Sequence, residues 1–81
     1  MGIKDSLHLS KDALLGMPII TIIGRYEVHI ENFKAIIEYS DTFIKLKAKK
    51  GNVEVNGKNL IITYYNEEEI HIKGLIENVT V

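Results

Sequence analysis

The chain has 81 residues, enough for one small domain and no more. Its 10 basic residues against 11 acidic ones give a net charge of -1, which removes the electrostatic case for nucleic acid or an anionic membrane as the main partner. It contains no cysteine, which excludes disulfides, a thiolate zinc site and a cysteine nucleophile.

Charged residues recur too often for a membrane-spanning helix. The first twelve positions mix Lys4, Asp5 and Lys11 with scattered leucines, unlike a signal peptide, so a cytoplasmic protein without direct membrane insertion is expected. Residues 1–18 form an N-terminal segment. In it, Ser10 is suited to cap a short helix over 10–15, with Gly16 at its C-terminal end and Pro18 as the stop.

From Ile19 onward apolar residues recur with a period of two. Ile20, Ile22, Tyr26, Val28 and Ile30 keep one parity through Gly24, which predicts a single long strand bent at that glycine. Glu31-Asn32 turns the chain. Strands follow over 33–39 and 43–48, joined by Ser40-Asp41-Thr42, and Lys49-Lys50-Gly51 turns again. Asn56-Gly57 suits a type I′ turn, which predicts a hairpin pairing 52–55 with 58–61. Asn66-Glu67-Glu68 turns into a strand over 69–73, Gly74 breaks it, and Leu75 to Val81 closes the chain. About seven or eight short strands with no alternating helices predict an all-β fold, a small antiparallel β-sandwich over 19–81.

The chemistry-bearing residues are few. His29 and His71 fall on the polar parity of their strands, where Glu27 or Glu69 could join them if those strands were neighbours. A metal site needs three or four convergent ligands, and two solvated strand histidines are the expectation, with no metal and no cofactor. Glu67-Glu68-Glu69 diverges into water at a turn rather than forming a catalytic pair. No glycine-flanked serine, phosphate-binding loop or dinucleotide pattern occurs, so no catalytic residue is assigned and no enzyme is expected. The lysines 45, 47, 49 and 50 read as a solvated face that protects the sheet against edge pairing. The alternatives weighed against a protein-contact function are a single-stranded nucleic-acid-binding β domain using Lys45, Lys47 and Tyr65, and a small metal-dependent enzyme using the histidines and glutamates.

One feature exceeds a plain core pattern. Ile19, Ile23, Ile36, Phe43, Ile61, Tyr65 and Ile76 lie on the parity opposite the main core residues. They predict a second apolar face, with Phe43 and Ile61 near its centre, covered by the N-terminal leucines, by a homodimer contact or by a protein partner.

The ordered set Pro18-Ile19-Ile20-Thr21-Ile22-Ile23-Gly24, Ile30-Glu31-Asn32-Phe33-Lys34-Ala35-Ile36-Ile37-Glu38-Tyr39, Val55-Asn56-Gly57-Lys58-Asn59-Leu60 and Glu69-Ile70-His71-Ile72-Lys73-Gly74 resembles the YabP/YqfC family of sporulation proteins, its YqfC branch above all. The likeness covers about residues 12–79, and no single motif in it is catalytic. The chain departs from the family's common histidine and glycine at Phe33 and Ala35. The resemblance implies a small β-sandwich without enzymatic activity, acting in the mother cell of a sporulating bacterium. It also implies a membrane-bound sporulation protein as partner.

Overall fold

A computed structural model describes residues 16–81. The predicted helix over 10–15 lies outside them. The described residues are all-β, with six strands: β1 (Ile19–Ile23), β2 (Glu27–Glu31), β3 (Phe33–Tyr39), β4 (Phe43–Ala48), β5 (Asn52–Tyr65) and β6 (Glu69–Thr80). They form one antiparallel sheet in the order β1-β2-β6-β5-β4-β3, rather than the seven or eight strands of a two-sheet sandwich. Among these residues no helix is long and apolar enough to cross a membrane.

Three strand boundaries differ from those expected. The predicted long strand over 19–30 is a hairpin in which Ile23 pairs with Glu27, and Gly24, Arg25 and Tyr26 form the loop. Ile22 pairs with Val28 and Ile20 with Ile30. A loop of odd length keeps the parity across a hairpin, so alternation alone could not separate a bent strand from two paired ones. The predicted Asn56-Gly57 turn does not form. Both residues lie within β5, where Asn56 pairs with Asn78 and Gly57 with Ile76. Likewise Gly74 bends β6 and does not end it.

The two glycines serve close packing between the long strands. A Cβ on Gly57 would run into the Leu75 carbonyl oxygen, and one on Gly74 would lie 2.6 Å from the Asn59 carbonyl oxygen. Gly74 has φ 139° and Asn59 φ 54°, so both strands bend at the same level. The bend pulls their outer edges away from their neighbours, and adjacent turns satisfy the exposed donors. Gly74 N–H donates to the Tyr26 carbonyl (3.1 Å) and Ile76 N–H to that of Arg25 (2.7 Å). On the other side Gly57 N–H donates to Thr42 (3.1 Å) and Leu60 N–H to Asp41 (2.8 Å).

The remaining turns follow their expected chemistry. The Ser40 hydroxyl accepts from the Phe43 N–H at 3.1 Å, and the Asn66 side-chain oxygen accepts from the N–H groups of Glu68 and Glu69 at 2.8 Å. Asn32, at φ 69°, alone joins β2 to β3.

The bent sheet wraps a single apolar cluster. Val28 and Ile30 of β2, Ile70 and Ile72 of β6, Val53, Val55 and Leu60 of β5, Ile44 and Leu46 of β4, and Phe33 of β3 are all buried in it. Ile76, expected on the second face, packs against this cluster as well. It shares the parity of Ile70 and Ile72, and because Gly74 does not end β6, plain alternation carries it inward. The register shift between Asn56 and Gly57 adds Glu77 to β6 beyond it and so brings the opposite parity inward at Val79.

The glycine packing sets an order of sensitivity. Gly57→Ala must push the β6 backbone aside and should cost about 2–3 kcal/mol. Gly51→Ala meets open space and bears only the strain of positive φ (85°), about 1 kcal/mol. Urea denaturation of both variants should show the larger loss at Gly57. Equal losses would contradict the close strand contact.

Candidate functional site

Two arrangements on the sheet bring chemistry together. The first is on its outward face. Alternate residues of a strand share a face, so Glu27 and His29 of β2 stand beside Glu69, His71 and Lys73 of β6. Register places His29 opposite His71 and Glu27 opposite Lys73. The two imidazoles stack, with centroids 3.7 Å apart and planes inclined by 12°. His29 Nε2–H donates to Glu27 Oε2 and His71 Nε2–H to Glu69 Oε2, each at 2.7 Å. The Tyr64 ring, 5.0 Å from that of His71, flanks the stack on β5.

The histidines expected to be separately solvated are therefore in contact and half-buried. The side chains of His29 and His71 are 26% and 25% exposed. The His29 hydrogen bond is the main cause holding the Glu27 carboxyl below its ordinary value of 4.5. Desolvation opposes it, and the Lys73 charge assists. One ligand atom from each of His29, Glu69 and His71 lies within 4.8 Å of the others.

The second arrangement is a groove between β3 and the C-terminal half of β5. Beyond Leu60, β5 pairs on one side only, with β6. Its other edge faces β3 across an apolar groove of about 440 Å³ lined by Ile36, Tyr39, Ile62, Thr63, Tyr64 and Tyr65. Here the Ile62 N–H donates to the Tyr39 hydroxyl at 3.2 Å rather than to a strand. Ile36 is 36% exposed, Tyr39 51% and Tyr65 61%. A contiguous hollow, lined by Phe33, Lys34, Ile36, Tyr65, Asn66 and Glu67, extends it.

The residues predicted to form one second apolar face do not share a face. Ile19 and Ile23 pair with Glu31 and Glu27, outward and beside the histidines. Ile61 pairs with Lys73, also outward on this half of the sheet. Phe43 pairs with Asn56, outward on the other half, and is half-buried. Phe43 and Ile61 thus belong to outward faces that the curvature turns apart.

Ile36 and Tyr65 pair instead with the buried Leu46 and Ile70, at the open end of the inner face. Register shifts within β3, and in β5 between Ile62 and Tyr64, place them there. The shift in β5 also turns Tyr64 outward beside His71, whereas the two in β3 cancel and leave Tyr39 on the face of Phe33; no turn residue marks these shifts in the sequence. Lys45 sits 3.7 Å from Glu54 on the half of the sheet away from Tyr65. The proposed stacking surface of Lys45, Lys47 and Tyr65 is therefore not assembled.

These features define a small single-sheet β domain with an open apolar seam. Residues 17–81 match the YabP family, and the chain belongs to that family. It is 32% identical over 74 residues to a Bacillus subtilis (strain 168) protein described as uncharacterized protein YqfC, covering 91% of this chain and 80% of the relative. No solved structure matches the chain.

The Glu27–His29 bond has a pH signature. A carboxyl whose folded pKa is lowered contributes stability that is complete above its ordinary value of 4.5 and is lost as the pH falls through the folded value. Glu27→Gln should therefore destabilise the protein near neutrality, and its difference from wild type should shrink below about pH 4. Urea midpoints across pH 3–7 measure this. A difference that persists at the acid end would show that the pair does not act through the carboxylate.

Proposed function

We propose that the chain is a non-catalytic interaction module of spore formation that receives an extended segment of a protein partner along the unpaired edge of β5. The observation that carries the reading is the seam beside residues 61–65. There a strand edge without a strand partner, its Ile62 N–H held by the Tyr39 hydroxyl, runs along an apolar, tyrosine-lined groove. An added strand gains main-chain hydrogen bonds from such an edge, and the flanking pockets select its side chains. Tyrosine is well suited to this position because it combines a large apolar body with a polar tip.

Membership of the YabP family supports a place in sporulation, in the mother-cell cytoplasm. The family likeness further favours a membrane-bound sporulation protein as the partner, which would hold this chain at the membrane surface without insertion. A homodimer through the same seam is the competing occupant. Tyrosine and isoleucine exposed together on a strand edge favour association with either.

A photo-crosslinking residue placed at Thr63 should trap a partner protein in sporulating cells, whereas one at Lys47, on the far half of the sheet, should not. Ile36→Asp and Tyr65→Asp should abolish the adduct and lower spore yield while circular dichroism stays that of the folded sheet. A self-adduct would assign the seam to dimerisation. Folded variants that sporulate normally would overturn the reading.

A further inference from the structure

The stacked histidines stand apart from the seam and call for their own account. Two neighbouring strands carry the same pattern, a glutamate two residues before a histidine, and the register sets the two histidines directly opposite each other. Side chains at such positions share a face with backbones only about 5 Å apart, so their relative placement is set by the sheet and not by flexible loops. Two imidazoles and the Glu69 carboxylate therefore converge on a rigid floor, with Glu27 hydrogen-bonded to His29 beside them. Thr21 of β1 pairs with His29 on one flank, and Tyr64 of β5 closes the other.

We propose that His29, His71 and Glu69 bind a divalent transition-metal cation of the zinc class, with Glu27 as the compensating carboxylate beside His29. Imidazole and carboxylate ligands without thiolate suit zinc, cobalt and nickel. An ion about 2.0–2.1 Å from each ligand atom needs those atoms roughly 3.3 Å apart in tetrahedral geometry. They now lie within 4.8 Å of one another, and the near-parallel rings must tilt for both nitrogen lone pairs to meet one ion. Three protein ligands leave a fourth position for water, and the quarter exposure of both rings gives the ion a route in. Two carboxylates balance the charge of the cation, and Lys73 stands opposite Glu27 on the same face. Glu31, in register with Glu69, adds negative charge at the far end. The bound ion would cross-link β2 to β6 at one end of the bend.

Zinc chloride titrated into the untagged chain in a calorimeter should bind at one equivalent and raise the thermal midpoint. Cobalt should give the visible absorption of a four-coordinate ion. His29→Gln and His71→Gln should each weaken zinc by at least about tenfold, and the double variant should abolish binding, whereas His8→Gln should leave it unchanged. If the double variant fails to fold, imidazole nitrogen resonances of the wild-type chain decide. Zinc should shift those of His29 and His71 and leave His8 in place. Absence of equimolar binding, or binding that moves only His8, would overturn the site.

Discussion

A one-residue connection governs the shape of this protein. β2 and β3 are separated by three strands in the sheet, yet Asn32 alone joins them. In a flat sheet the four intervening spacings would set them about 19 Å apart. Two Cα–Cα steps reach only about 7 Å. The sheet must therefore coil until its far edge returns to β2. Asn32 completes the corner with a left-handed backbone, and its N–H donates to the Glu68 carbonyl at 2.7 Å. Asparagine tolerates that conformation better than most residues, since its short polar side chain can bond locally. Here the Asn32 side-chain amide donates to the Met17 carbonyl at 3.0 Å.

The coiling explains both the core and the seam. Bending β5 and β6 together at Gly57 and Gly74 lets the two halves of one sheet face each other across a single apolar cluster, as two sheets do in a sandwich. The same bend separates β5 from β4 beyond Leu60, and β3 returns close to that edge without pairing with it. Ile36, Tyr39, Ile62 and Tyr65 line the gap that remains. The groove is thus the direct outcome of a sheet that coils and does not close. Closure would have removed the edge altogether.

The histidine cluster depends on a different feature of the same sheet. It lies where β2 and β6 pair in continuous register, between Glu27 opposite Lys73 and Glu31 opposite Glu69. Regular pairing aligns matching sequence patterns across strands, whereas the bulged strands β3 and β5 displace theirs. Ordered polar chemistry consequently sits on the regular part of the sheet, and the apolar seam on its irregular part.

The sequence by itself determined the all-β class, the family, most turns and the buried alternation of Val28, Ile30, Ile44, Leu46, Ile70 and Ile72. These follow from local chemistry: period-two patterning, serine and asparagine turns, and an apolar share sufficient for one core. Only the tertiary structure decided that Asn56-Gly57 lies inside a strand, because partners on both sides of β5 outweigh a local turn preference worth little by itself. Only the structure could place Ile36 and Tyr65, because a register shift exchanges the faces of the residues beyond it and has no local signature here. It likewise showed that β6 continues through Gly74, which keeps Ile76 on the face of Ile70 and Ile72. His29 and His71 were visible as polar-face residues, but their contact required β6 to lie beside β2. Strand order is set by how the whole sheet coils, and a long-range pairing of that kind leaves no trace in the spacing of residues along the chain.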